Sequence, residues 1–381
     1  MAVGEPGRRG GIFDRLRRTG FGPDGDEGVA NPDVASEVDV DETASAPFDQ
    51  VPPAPAGDPA QEAGRDQRAV DEAPATDLAS SGGDLDLEPP GSGEAPDGSP
   101  DADGVAATAE ASPGPGPSPF ARPLPRVIAI ANQKGGVGKT TTAVNLGACL
   151  AELGYRVLVC DLDPQGNAST GLGLNPRNMA TSMYDVILND VPLEDCIEPS
   201  SVRNLFVAPA SLDLAGAEIE LVPAFSREMR LRRAIEAVLD DFDFVLIDCP
   251  PSLGLLTVNG LAAAAEVIVP IQCEYYALEG LGQLLRNVSL VQRNLNPRLE
   301  VSAIICVMYD ARTKLSGQVV AEVRAHFGDK VCRNVVPRTI RLSEAPSFGQ
   351  PIIAFDPNSR GAIAYRELAK EVSGGTPQRA R

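Results

Sequence analysis

The stretch ANQKGGVGKTTTAVNLG, residues 131–147, decides how the rest of the chain is read. Gly135, Gly136 and Gly138 precede Lys139 and Thr140. A glycine-rich turn ending in Gly-Lys-Thr brings backbone amides, an ammonium and a hydroxyl onto one anion, the pattern of a phosphate-binding loop. The usual form is G-x-x-x-x-G-K-[ST]. Here Gln133 takes the leading glycine position, and an additional lysine, Lys134, stands beside it. The helix beginning near Lys139 aims its N-terminal dipole at the same point. Lys139 is then placed to reach the outer phosphates of a nucleotide, and the Thr140 hydroxyl to bind Mg²⁺.

Working outward, RVIAIA (126–131) reads as the strand feeding this loop, and TTTAVNLGACLAEL as the helix leaving it. YRVLVCDLD (155–163), DFVLIDCP (243–250), AEVIVPIQ (265–272) and VSAIICVMYD (301–310) are further strands, apolar almost throughout. Such runs suit strands covered on both faces, as in a parallel sheet. Helical patterns lie between them at 226–239, 277–294 and 316–327. The alternation predicts an α/β fold: a doubly wound, mostly parallel sheet with helices on both faces, spanning 121–375. Ligands of such sheets bind at the carboxyl ends of the strands. The loop, Asp161 and Asp163 after the second strand, and Asp248 after FVLI all fall on that edge.

The 381-residue chain carries a net charge of −20, unevenly distributed. Residues 1–120 hold 17 of the 34 prolines, no lysine, and 7 arginines against 25 acidic groups. The remaining residues hold 26 basic and 28 acidic groups, so the acidity belongs to the tail. Stretches such as EPPGSGEAPDGSPDADG (88–104) have too few apolar side chains to offset the entropy of ordering them, and 20–118 is expected to be disordered. The start differs. Across 8–21, Ile12, Phe13 and Leu16 sit among Arg8, Arg9, Arg15, Arg17 and Arg18, either an amphipathic segment that folds on a partner or an unstructured basic terminus. It lacks the apolar core and cleavage site of a signal peptide. Residues 376–381 read as a short polar tail.

No apolar run reaches the roughly 18 residues of a membrane span. Seven cysteines are scattered singly without a C-x-x-C pair, and there is one histidine, His326, a poor basis for a zinc or iron–sulfur centre. The cysteines read as small hydrophobes in apolar runs. A reducing cytoplasm fits this usage.

KGGVGKTTT (134–142) resembles the deviant P-loop of the ParA/MinD superfamily of ATPases, whose signature is the extra lysine before two glycines. The resemblance extends over about 126–372 and includes DLDPQGNAST (161–170), FVLIDCPPS (244–252), EYYALEGL (274–281) and PRTIRLSEAPSFGQPI (337–352). Together these look like the chromosomal ParA/Soj partition ATPases. The resemblance implies ATP and Mg²⁺, bound by Lys134, Gly135, Gly136, Val137, Gly138, Lys139, Thr140 and Thr141. Lys134 is expected to contact the nucleotide of a second subunit, so that a homodimer forms with ATP. Lys139 is the in-cis phosphate lysine, and Thr140 the direct Mg²⁺ ligand. Asp163 orients the attacking water, Asp248 supports Mg²⁺ through water, and Asp161 is structural. Pro337 and Thr339 fall where the family contacts adenine, although the family pattern has asparagine at the position of Thr339.

The branches of this superfamily leave different traces. A MinD-like membrane cycler needs a basic amphipathic C-terminal helix, and YRELAKEVSGGTPQRAR becomes polar after Val372. A reductase of the nitrogenase-iron-protein type needs cluster cysteines, and Cys249 reads as a buried hydrophobe. A DNA-binding member needs a basic face. Arg312, Lys314, Arg324, Lys330, Arg333, Arg338 and Arg341 supply candidates, with Arg312 and Arg341 at positions the Soj-type family uses for DNA. Contacts of that kind are to phosphates, hence non-specific and salt-dependent. The expectation is a cytoplasmic, nucleoid-associated ATPase that works with a ParB-type centromere-binding protein. A polar scaffold is a further candidate partner for the N-terminal segment. The alternatives are an ATP-switched positioning regulator of a protein cargo without a DNA role, and a dethiobiotin-synthetase-like ligase.

Overall fold

The computed structural model describes residues 118–274 and 277–374. The acidic tail, its basic start and the end at 376–381 lie outside the described residues.

Seven strands form one sheet in the order β3-β4-β2-β5-β1-β6-β7. They are β1 (Arg126–Ile130), β2 (Val157–Asp161), β3 (Glu198–Pro199), β4 (Leu205–Ala208), β5 (Phe244–Asp248), β6 (Glu266–Gln272) and β7 (Glu300–Val307). All neighbours pair in parallel except the short edge strand β3. The apolar runs are explained by burial on both faces. In β5, Val245 and Ile247 pack into one core and Phe244 and Leu246 into the other; Leu158 and Val159 of β2 divide in the same way. Period-two alternation therefore separates two apolar faces here, not an apolar face from a polar one. The doubly wound α/β expectation holds. The strand β4, within NLFVAPA, escaped the sequence reading because four residues between turns give no periodicity to measure.

The helix after the loop, Lys139–Glu152, packs on β2 and β5. A Cβ at Gly147 would come within 3.2 Å of Val159 Cγ2 and 3.4 Å of Leu246 Cδ1, so glycine sets how closely this helix approaches the sheet. The C-terminal helix Arg360–Ser373 covers it, and the hydroxyls of Tyr365 and Thr142 meet at 3.3 Å between them. Sequence segment 226–239 is broken up, with a helical core only at Arg230–Glu236.

At the amino edge of the sheet a buried ion pair joins distant parts of the chain. Arg126 donates from Nε (2.8 Å) and Nη2 (2.7 Å) to the two oxygens of Glu266. Its Nη1 donates to the Val372 carbonyl at 2.6 Å. Arg122 adds contacts to Glu266 (3.3 Å) and Glu300 (2.6 Å). A forked guanidinium matches a carboxylate in geometry as well as charge, which suits it to a buried position.

Candidate nucleotide site

The carboxyl ends of β1, β5 and β2 come into line because their register pairs Ile130 with Asp248 and Asp248 with Asp161. The loop leaves β1 at this edge. Gly136 and Gly138 hold φ of 73° and 81°, the left-handed region that glycine enters without steric cost, and Gly138 opens the helix. Lys139, only 6% exposed, turns back over the loop and donates from Nζ to the Lys134 carbonyl at 3.3 Å. Burial pulls its pKa down, while the carboxylates of Asp248 and Asp163 act in the opposite direction. The loop therefore surrounds a cation placed for phosphate.

The two strand-end aspartates sit in register yet differ in what satisfies them. Asp161 Oδ2 accepts from Ser169 N (2.8 Å) and Ser169 Oγ (2.7 Å), and its Oδ1 accepts from Asp163 N at 3.2 Å. Burial pushes its pKa up to about 6 against the pull of Ser169. Asp248 is 0% exposed and neither of its oxygens has a hydrogen-bond partner. Burial, then the adjacent Asp161, pushes it well above the usual carboxylate range. The Thr140 hydroxyl lies close enough to temper that shift but outside hydrogen-bond geometry. A buried carboxylate left without donors is costly unless a cation or a proton answers it. This donor-free pair of oxygens beside Thr140 fits a hydrated divalent cation. Asp163, half-buried, follows at the turn, where its Oδ1 accepts from Gln165 N at 3.0 Å.

A cavity of about 370 Å³ adjoins the loop, lined among others by Gly138, Thr141, Met308, Pro337 and Thr339. The two sequence-predicted adenine contacts are thus brought to the phosphate loop from two hundred residues away. Thr339 caps the short helix Ile340–Glu344, its hydroxyl accepting from Leu342 N at 3.3 Å. Met308, which sequence reasoning missed, lines the cavity in the left-handed region at φ 55°, uncommon for a residue with a side chain. Nothing in the sequence signals that backbone.

The chain is 58% identical to the sporulation initiation inhibitor protein Soj of Bacillus subtilis over 248 residues, covering 65% of this chain and 98% of Soj. It belongs to the Soj/ParA chromosome-partitioning family. The chromosome partitioning protein ParA of Caulobacter vibrioides is 54% identical over 66% of this chain and 95% of its own length. A family model described as an AAA domain matches residues 125–301. Among solved structures, a Mycobacterium smegmatis protein named cobyrinic acid a,c-diamide synthase, with bound ATP analogue and magnesium, is similar at 44% identity and a TM-score of 0.58, over 65% of this chain and 93% of that one. The septum site-determining protein MinD of Pyrococcus horikoshii, complexed with Mg-ADP, is similar at 28% identity and a TM-score of 0.53, over 65% of this chain and 95% of that one. Each of these relatives covers 65–66% of this chain.

The remaining predicted residues of this Soj/ParA chain lie on its surface. Lys134 pairs with Glu274 of its own subunit, Nζ to Oε2 at 3.1 Å. Arg312 is 89% exposed and forks onto Asp310 at 3.0 and 2.7 Å. That pairing holds the Asp310 carboxyl down at about 2. Arg341, 57% exposed, pairs with Glu344 (3.1 Å) and Asp356 (3.4 Å) and lies over the Phe355 ring. A bridge between Tyr309 and Pro337 joins the two segments carrying these arginines, so both leave the same end of β7. All seven cysteines are buried and free, in keeping with their reading as small hydrophobes. Among the described residues no helix is long and apolar enough to cross a membrane.

Proposed function

We propose that this protein is an Mg²⁺-dependent ATPase that partitions chromosome origins by cycling on and off DNA as an ATP-bound dimer. The observation that carries the chemistry is Asp248, a wholly buried carboxylate with no donor to either oxygen, beside Thr140 and the loop. Thr140 would ligate Mg²⁺ directly, with Asp248 and Asp163 holding its water shell. When bound, Mg²⁺ neutralises charge on the phosphates. The amides of Gly135 to Thr141 cradle the phosphates, with Val137 buried beneath the loop, and Lys139 stabilises charge gathering on the outer oxygens. Asp163 orients the attacking water; positioning, not basicity, is what phosphoryl transfer asks of a carboxylate here. Pro337 and Thr339 border the base.

Lys134 reaches the nucleotide of the second subunit, which makes dimerisation depend on ATP by differential binding. Arg312 and Arg341, contributed twice by the dimer, form the phosphate-contacting patch, and a ParB-type protein stimulates hydrolysis and release. Nucleoid association in the cytoplasm follows from this cycle. The name of the Mycobacterium smegmatis relative favours a second reading, an amide-forming ligase; turnover of ATP without any added acid or amine distinguishes the two.

The test is binding of the purified protein to a non-specific DNA duplex at low and high salt, with no nucleotide, ADP or ATP–Mg²⁺, beside Arg341→Ala. Binding that needs ATP, weakens steeply with salt and is lost in the variant is expected. No binding with any nucleotide overturns the DNA role and leaves a switch acting on a protein cargo.

A further inference from the structure

Lys134 is held on its own subunit by a built contact. It lies in the loop after β1, and Glu274 lies two residues beyond the end of β6; these strands are parallel neighbours, so their carboxyl ends meet. Asn132 fixes the lysine's backbone from that side: its Nδ2 donates to the Pro270 carbonyl at 2.8 Å and its Oδ1 accepts from Lys134 N at 3.0 Å. Glu274 is fixed in turn. Its backbone N donates to the Gln272 carbonyl at 2.8 Å, its Oε1 accepts from Gln272 Nε2 at 2.5 Å, and its Oε2 takes the Lys134 ammonium. Both oxygens of the carboxylate are thereby committed, one to β6 and one to the lysine. The two side chains are 46% and 48% exposed, so the pair can open without unfolding anything.

We propose that Glu274 is a positioning residue that latches Lys134 onto its own subunit and so sets the threshold for ATP-dependent dimerisation. The inference rests on the reading that Lys134 serves the partner's nucleotide. A lysine cannot hold Glu274 and a phosphate of the other subunit at once, so each subunit breaks one latch as the dimer closes. An exposed pair of this kind biases an equilibrium by about 1.5- to 5-fold. Twofold symmetry opens two of them per dimer, which multiplies to about 2- to 25-fold in the dimer constant. That range is small enough for ATP to overcome and large enough to keep the subunits apart when protein is dilute.

The experiment uses the full chain with ATP and Mg²⁺, comparing the parent with Glu274→Gln, Lys134→Ala and the double variant. Dimerisation is followed by sedimentation, and the protein concentration giving half-maximal ATPase rate is recorded. Glu274→Gln keeps the shape and the Gln272 contact while removing the charge. It is expected to lower the half-maximal concentration and the dimer dissociation constant by about 2- to 25-fold, with the turnover number at saturating protein unchanged. The gain should shrink at 0.5 M salt, where the screening length falls to about 4 Å and surface charges are screened. Adding Glu274→Gln to Lys134→Ala should restore no dimerisation, because the latch acts only through the lysine; a restored dimer overturns it. An unchanged or weakened dimer in Glu274→Gln, with Lys134→Ala failing to dimerise, overturns the latch alone. A Lys134→Ala protein that dimerises normally with ATP overturns the role of Lys134 and takes the latch with it.

Discussion

Changing Asp248 to asparagine should stabilise this protein at alkaline pH while ending its use of Mg²⁺. Asp161 and Asp248 stand in register on adjacent strands, both 0% exposed, and burial raises the pKa of each. A carboxyl whose folded pKa exceeds its unfolded value binds more protons in the folded state, so stability falls as pH rises through the folded pKa. For Asp161 the window runs from 3.8 to about 6. At about 1.4 kcal/mol per pKa unit, its ionisation alone costs the fold ~3 kcal/mol above that window. Asp248→Asn keeps the volume and removes the charge whose burial and repulsion by Asp161 are penalised, relieving Asp248's own penalty. The expected gain is about 1–3 kcal/mol at pH 8, smaller at pH 5, and gone only below the unfolded carboxyl pKa of 3.8, where the group is protonated in both the folded and the unfolded chain. Urea unfolding followed by circular dichroism at pH 5, 6.5 and 8 reads this directly. With a slope of about 3 kcal/mol per M the midpoint moves by about 0.3–1 M at pH 8. Exposed ion pairs add their own pH dependence, but they are common to both proteins and cancel in the difference. A difference between parent and variant that stays constant across the three pH values, or a variant less stable at pH 8, refutes the reasoning.

Glu266→Ala should destabilise by about 3–5 kcal/mol, since it strands the buried Arg126 guanidinium, and a denaturation midpoint checks it; replacing both residues with apolar ones of similar size should recover most of the loss. Asp163→Ala should bind ATP and dimerise but hydrolyse at least tenfold more slowly by single-turnover assay (about 1.4 kcal/mol or more of barrier), whereas Lys139→Ala should lose every nucleotide-dependent behaviour. Gly260→Ala sets a Cβ 2.9 Å from Cys249 Sγ and 3.3 Å from Ile247 Cγ2, the residues immediately after and before Asp248. It should cost about 1–3 kcal/mol in thermal unfolding and weaken Mg²⁺-dependent nucleotide binding.

The strand framework was legible because residues such as Val157 to Asp161 and Phe244 to Asp248 are apolar on both faces until the last position, where the carboxylate marks the ligand edge. The phosphate loop was legible because its chemistry is contiguous. What lay hidden was decided by contacts far apart in the chain. Glu274 is 140 residues from the lysine it holds, and no local pattern marks it as a partner. Asp161 and Asp248 are interchangeable as residue types; Ser169 and the Asp163 amide, which donate to the first and not to the second, separate a satisfied strut from a carboxylate without donors. Arg312 and Arg341 were found as cations, but the carboxylates that hold them, Asp310, Glu344 and Asp356, appear only in three dimensions.

The first and last described residues are neighbours. Ser118 Oγ donates to the Glu371 carbonyl at 2.6 Å, and a Cβ on Gly374 would stand 2.6 Å from that of Ala121. The described chain is therefore a circuit with a small gap. A short glycine–serine bridge would close it, and a cut in an exposed loop elsewhere would reopen it as a circular permutant with the same sheet.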